Sequence, residues 1–449
     1  MTSETTTAPQ RRAARRAAAA ALVGTLIEWY DFALYGAAAA LIFNVQFFGA
    51  SDQLTGLLSA FATFAVGYFA RPIGGIVFGH LGDRIGRKPV MIITLLIMGL
   101  STAAMGLLPT YASIGIWAAI LLVILRIVQG LGAGAEYAGA ITLSAEASTK
   151  GRRGYYSSWS GVGLWLGSAL GLLTFQALVW MMGDAFFEWG WRIPFVASII
   201  VVAVSLFIRL KVAETHTVRK TADTSVDRVP LLRLLATEKR RLAVALGSNF
   251  LLSGFTYIPQ VWALSYLTNN LGIAASIALA INAAFFIVGA PFLPFFGRVG
   301  DRIGRRRLFT GAAVFAIAWT VPMFLLMDTR NPWLIAFALV TCWVGVAATG
   351  VAAQGAFLTE LFPPETRFSG VAFARELTGA ILGGLAPLIA TALFAATNHW
   401  WAIAIFMIAN ALVTLVAVRL SKHFRSDADQ DHEITDDARL PDSHATSVD

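Results

Sequence analysis

Long apolar runs dominate the chain, interrupted at regular intervals by clusters of Gly, Pro and charged residues. Runs such as Pro89 to Leu108 and Ile116 to Leu125 do not alternate apolar with polar positions, so they read as helices, not barrel strands. Cutting at the polar clusters gives twelve stretches, starting near 18, 54, 89, 115, 155, 190, 240, 273, 308, 333, 369 and 400 and each 20 to 30 residues long. A helix of that length crosses the hydrocarbon core of a bilayer.

The pattern occurs twice. Phe78-Gly79-His80-Leu81-Gly82-Asp83-Arg84-Ile85-Gly86-Arg87 returns as Phe296-Gly297-Arg298-Val299-Gly300-Asp301-Arg302-Ile303-Gly304-Arg305, a shift of 218 residues. Glu146 precedes Arg153 by seven residues, and Glu360 precedes Arg367 by seven. Both echoes follow corresponding spans in each half, and a long polar segment over about 210–240 separates the halves. The expected organisation is a basic cytoplasmic tail over 1–17, a six-helix bundle over 18–213, a central cytoplasmic loop over 214–238, a second bundle over 239–421 and a disordered cytoplasmic tail over 422–449. Two bundles in the same orientation form the parallel repeat used by rocking transporters.

Composition agrees with membrane burial. Of the 449 residues, 57% are hydrophobic and 13% charged, with mean hydropathy +0.68. Soluble chains carry about 25% charged residues, so a soluble enzyme, a secreted domain and a disordered protein are excluded. The net charge of +8 reflects topology and not nucleic-acid binding. Of 34 basic residues, all but Arg71, Arg126, Arg192, Arg330 and Arg375 fall on alternate connections. That asymmetry places both termini and the central loop in the cytoplasm of a multi-pass cell-membrane protein. The amino-terminal arginines and alanine run resemble a signal peptide, but the apolar stretch continues past Glu28 and Asp31 to about Phe43, as in a retained first span. Cys342 is the single cysteine and the six histidines lack metal-ligand spacing, so no metal or cofactor is expected.

Six ionisable residues lie well inside apolar stretches: Glu28, Asp31, Arg126, Glu136, Arg375 and Glu376. At about 3 kcal/mol each, leaving them in lipid costs on the order of 18 kcal/mol. They must pair or face a wet cavity. Glu28 and Asp31 sit one turn apart, and Arg126, Gln129, Glu136 and Tyr137 fall within roughly a 100° arc of one helix. A stripe with both signs suits a polar transport path; buried ion pairs locking helices together are the competing reading, and Arg71 and Arg192 fit it better. Proton coupling needs a carboxylate whose proton affinity responds to its surroundings, which selects Asp31 and Glu28, then Glu136. Arg126 and Arg375, from opposite halves, suit a bound carboxylate, although Glu136 and Glu376 can neutralise them. Asn249, Tyr257, Gln260, Asn282 and Gln354 are candidate hydrogen-bonding groups for a substrate or for a neighbouring helix.

The duplicated loop carries a resemblance. Gly79-x-x-x-Asp83-Arg84-x-Gly86-Arg87-Lys88 is similar to the signature loop of the major facilitator superfamily, and Arg126-x-x-Gln129-Gly130-x-Gly132 to its fourth-helix motif. Glu28-Trp29-Tyr30-Asp31-Phe32, Arg71-Pro72-x-Gly74-Gly75, Glu136-Tyr137-x-Gly139-Ala140, Gly190-Trp191-Arg192-Ile193-Pro194-Phe195 and Phe368-Ser369-Gly370 resemble the metabolite:proton symporters within it. Thr25 and Ala135 depart from that pattern, which leaves the substrate open.

The resemblance implies an all-α membrane fold of twelve helices in two pseudo-symmetric bundles. It also implies proton-coupled import of a small organic acid such as shikimate or a di- or tricarboxylate by alternating access. Proline or betaine uptake is the alternative, and efflux by antiport a weaker one. A membrane enzyme or sensor lacks both a reactive constellation and an output domain. A cytoplasmic gate is expected from Asp83, Arg84, Arg87, Lys88, Glu146 and Arg153 in one half and Asp301, Arg302, Arg305, Arg306, Glu360 and Arg367 in the other. The expected partners are substrate, protons and membrane lipid, with the monomer as the working unit.

Overall fold

A computed structural model of the chain describes Leu22, Thr25, Leu26 and residues 28–49, 52–85, 87–134, 153–211, 237–363 and 366–423. Glu136, Tyr137, Glu146, both tails up to residue 21 and from 424, and the central loop over 212–236 lie outside the described residues. So do the side chains of Asp83, Arg84, Arg87, Lys88 and Arg153.

Twelve long helices and no strand occur among the described residues, ten of the helices long and apolar enough to cross a membrane. The twelve are α1 (28–46), α2 (Gln53–Ile85), α3 (Arg87–Leu107), α4 (Ile116–Ala133), α5 (Arg153–Met182), α6 (Arg192–Lys211), α7 (Lys239–Asn270), α8 (Ala275–Ile303), α9 (Arg305–Asp328), α10 (Pro332–Leu361), α11 (367–397) and α12 (Trp401–Leu420). Their ends follow local chemistry. Pro332 opens α10 behind Asn331, whose side chain accepts the Trp333 N–H at 3.0 Å. In the duplicated loop, α8 passes into α9 across Gly304 alone, at φ +91°, a conformation that a side chain resists.

The halves repeat one another in packing. In the first, α3 lies on α4 and α6; in the second, α9 lies on α10 and α12. Between them, α2 packs on α11, and α5 packs on α8 and α10. The central cavity is therefore bounded by helices from both repeats. Exposed tryptophans gather at one end of the bundle: Trp117 opens α4, Trp180 closes α5, Trp189 precedes α6, Trp333 opens α10 and Trp401 opens α12. Such rings sit at bilayer interfaces.

Small residues set one of the tightest crossings. On α5, a Cβ at Gly163 would lie 2.1 Å from the Leu22 carbonyl oxygen, and one at Gly167 2.0 Å from that of Leu26. Glycine therefore lets the residues leading into α1 touch α5 backbone to backbone, which compensates for the absence of a hydrophobic drive between helices in lipid. Thr25 Oγ1 closes the contact by donating to the Ser160 carbonyl at 2.9 Å.

The crossing predicts a contrast. Gly167→Leu should lower the Tm of the detergent-solubilised protein by a loss of at least the about 1–3 kcal/mol typical of overpacking. Gly311→Leu, where a Cβ meets open space, should leave the Tm unchanged.

Candidate functional site

Each buried charge in the first half has found different company. Arg71 Nη2 on α2 pairs with Glu28 Oε1 on α1 at 2.6 Å, with both residues buried. The Arg71 guanidinium also lies 4.4 Å from the centre of the Phe32 ring and 5.3 Å from that of Tyr68. Arg126 on α4 makes no ion pair among the described residues. Its guanidinium sits 3.9 Å from the Tyr35 ring centre and 4.9 Å from that of Phe32, where the ring faces offer partial negative charge. The room for it comes from Gly67, where a Cβ would stand 2.3 Å from Arg126 Nε.

Asp31 is 2% exposed and has no ion pair among the described residues. Its Oδ2 accepts the Thr102 hydroxyl of α3 at 3.1 Å, and its Oδ1 has no hydrogen-bond partner there. Thr102 Oγ1 in turn accepts Gln129 Nε2 at 2.8 Å, and Gln129 Oε1 accepts Arg126 Nη1. Sequence reasoning named Asp31, Arg126 and Gln129 but missed Thr102, the link between them.

Beside this layer lies a small cavity between the two halves. Trp29, Phe32, Ala33, Gly36 and Ala37 of α1 and Phe64 and Tyr68 of α2 form one wall, with Leu172 of α5 beside them. Gln260, Val261 and Leu264 of α7 and Phe286 of α8 form the other. At the floor, Tyr68 donates to the Tyr257 hydroxyl at 2.8 Å, a direct bond between the halves. The Trp29 indole N–H, buried and without a partner among the described residues, belongs to the same wall.

The second-half candidates separate. Gln260 lines the cavity and Tyr257 meets its floor. Asn249 and Gln354 bond to each other, linking α7 to α10. Asn282 donates to the Gln260 backbone carbonyl at 3.2 Å, inside one of three π-turns that widen α7 around Pro259. Glu376 lies within electrostatic reach of Arg71, and Arg375 of Tyr257, so α11 brings its charges to the same level. Arg192, grouped by sequence with the ion pairs, instead donates to the Gly106 and Leu108 carbonyls at the end of α3. Capping of a helix carboxyl end suits a cation as well as a carboxylate would.

At the bundle end remote from the tryptophans, Asp301 Oδ2 accepts the Tyr155 backbone N–H at 3.1 Å, at the start of α5 in the opposite half. Its Oδ1 pairs with Arg305 at 3.1 Å, Arg305 also holds Glu360, and Arg298 lies 4.4 Å over the Tyr155 ring. An aspartate at a helix amino end is favoured by the helix dipole. Arg367 Nε donates to the Phe362 carbonyl at 3.4 Å, while Arg302 and Arg306 also lie on this end.

Known proteins share this build. The sequence model of the Major Facilitator Superfamily matches residues 21–387 and, in a second alignment, 244–439. The chain belongs to this superfamily. The shikimate transporter of Escherichia coli is 34% identical over 412 residues, covering 90% of this chain and 93% of that protein. The alpha-ketoglutarate permease of the same organism is 32% identical, covering 90% and 93%. Among solved structures, a D-xylose-proton symporter superposes with TM-score 0.69 at 19% identity, covering 88% of this chain and 96% of that one. The protein is thus a membrane transporter with the superfamily's fold, and not an enzyme.

The Glu28–Arg71 pair gives a stability test. Arg71→Gln leaves a buried carboxylate without its partner and should cost about 3–5 kcal/mol, read as a lower Tm in detergent. Adding Glu28→Gln should recover most of that loss.

Proposed function

We propose that this chain imports a small carboxylate metabolite together with a proton by alternating access between its two halves. The observation that carries the reading is Asp31: a buried carboxylate beside the cavity wall, held by one hydroxyl and by no ion pair among the described residues. Glu28 already has a cation, Arg71. Asp31 therefore takes and releases the coupling proton in this reading, while Glu28 and Arg71 tie α1 to α2.

Arg126 supplies the cation for the substrate. Its Nε and Nη2 have no hydrogen-bond partner among the described residues, so donors remain for a carboxylate. Arg375 is its counterpart from the second half, with Gln260, Tyr257 and the Trp29 N–H for hydroxyl or keto oxygens. The rings of Phe32 and Phe64 shield these charges from the cavity until substrate enters. The similarity to shikimate and alpha-ketoglutarate transporters supports a hydroxylated or keto acid of that size.

Rocking needs contacts that can be exchanged. The Asp301–Tyr155 bond with the Arg305–Glu360 pair closes one end, and Tyr68–Tyr257 closes the centre. We assign that end to the cytoplasm, because nearly all basic residues outside the membrane lie on its connections and the exposed tryptophans lie opposite. Both termini share that side, and the halves over 18–213 and 239–421 are the moving units.

Proteoliposomes under an imposed pH gradient, acidic outside, test the reading with a panel of shikimate, 2-oxoglutarate, citrate, proline and betaine. One proton per monovalent acid should concentrate an acid of the panel about tenfold per pH unit at equilibrium, and a proton ionophore should abolish the accumulation. Asp31→Asn should lose this accumulation yet keep exchange of the same acid. Unchanged accumulation in Asp31→Asn removes that residue from the coupling step.

The anion reading has its own test. Arg126→Ala or Arg375→Ala should weaken binding of the transported acid about tenfold or more, as loss of a charge-assisted contact does. Full affinity in both variants rejects a carboxylate held by arginine.

A further inference from the structure

Thr102 and Gln129 stand between the two charged groups at the centre of the first bundle, and all the donors point one way. Arg126 donates to Gln129, Gln129 donates to Thr102 at 2.8 Å, and Thr102 donates to Asp31 at 3.1 Å. Three helices contribute: α4 gives Arg126 and Gln129, α3 gives Thr102, and α1 gives Asp31. The amide of Gln129 is oriented by its neighbours, since a guanidinium accepts nothing and needs the carbonyl oxygen. Gln129 thus has both ends of its side chain occupied within the protein.

We propose that this chain of hydrogen bonds carries the positive charge of Arg126 to Asp31, so that Thr102 and Gln129 set how tightly Asp31 holds its proton. The inference rests on the reading of Asp31 as the proton site and adds the positioning residues that tune it. Aligned donors polarise one another, and each bond in the series strengthens the last one, to the ionised carboxylate. A substrate carboxylate seated on the open Nε and Nη2 edge of Arg126 draws that charge away. The series weakens, and Asp31 takes a proton. Release of the substrate restores the series and expels it. Coupling of this kind is reciprocal: whatever makes substrate favour the protonated state makes the proton favour the loaded one.

Thr102 contains the switch. Its hydroxyl has one hydrogen and two acceptors within reach, Asp31 Oδ2 at 3.1 Å and the Met98 carbonyl at 2.9 Å. With Asp31 ionised, the hydrogen points to the carboxylate. With Asp31 protonated, the carboxyl O–H donates to Thr102, whose hydrogen turns to Met98. The proton comes from water and returns to water; none travels along the series, and no heavy atom needs to move. Other charged and titratable groups face this network: Glu28 and Tyr30 on α1, Arg71 and Tyr68 on α2, Tyr257 on α7 and Glu376 on α11. Tyr35 covers the guanidinium. Glu28 and Arg71 neutralise each other directly, which leaves the Thr102 series as the connection between Asp31 and a cation.

Infrared difference titration of the full-length protein in liposomes, without substrate, reads the carboxyl group itself. The protonated-carboxyl band that disappears in Asp31→Asn belongs to Asp31. In Thr102→Val this band should persist to higher pH by about one unit, a tenfold change in proton affinity, as loss of a hydrogen bond to a charge requires. Gln129→Leu should move it the same way, and Thr102→Ser, which keeps the hydroxyl, should restore the wild-type midpoint. A band that titrates identically in wild type, Thr102→Val and Gln129→Leu overturns the relay and leaves Asp31 as the proton site. Absence of any band sensitive to Asp31→Asn overturns the proton-site reading itself.

Discussion

An apolar interior makes every buried charge expensive, and the first bundle is organised around that cost. Glu28, Asp31, Arg71 and Arg126 are all buried where neither water nor lipid can solvate them. The solution differs for each. Glu28 and Arg71 neutralise one another, Arg126 rests on aromatic faces, and Asp31 keeps a single hydroxyl. Phe32 lies beside both guanidinium groups and also forms the cavity wall, so the charges are one aromatic ring away from a guest. Helix packing serves this arrangement. Gly67 leaves the space that Arg126 fills, and the glycines of α5 let α1 sit close enough to present Asp31 to α3.

The two carboxylates of α1 differ in company, and the proposed proton coupling rests on that inequality. A permanently paired carboxylate has little reason to exchange protons during a cycle, whereas one held by a neutral hydroxyl responds to any change in the nearby field. In the proposed cycle, a responsive group at the centre of the first bundle, beside a cavity bounded by both halves, couples proton binding to movement. The Tyr68–Tyr257 bond and the Asp301 contact with the first turn of α5 are of that exchangeable kind.

Much of this was legible in the sequence. The helical spans and the duplicated loop follow from apolar run length, spaced glycines and arginine placement, all of which are local signals, and the superfamily from the resemblance that its motifs carry. The ionisable residues were visible because charge is rare in an apolar run. Their partners were not. Thr102 sits among the small and apolar residues of its span and carries no periodic mark, and its significance arises only when α3 and α4 cross. Asn249 and Gln354, 105 residues apart, stay open between substrate and neighbouring helix in the sequence, which cannot show that α7 and α10 bring them together. Arg192 was grouped with ion pairs because its charge was visible and the carbonyl ends of α3 were not. Tyr68, three residues before Arg71 and on the same face, offers only a weak signal.

The most direct test follows the proton itself, with no gradient imposed. Weakly buffered proteoliposomes containing a trapped pH-sensitive dye are given the transported acid from outside, with protein-free vesicles correcting for diffusion of the undissociated acid. The account predicts acidification of the lumen in step with uptake, and uptake by exchange without acidification in Asp31→Asn. Net entry of the acid into wild-type vesicles with no accompanying change in internal pH contradicts it.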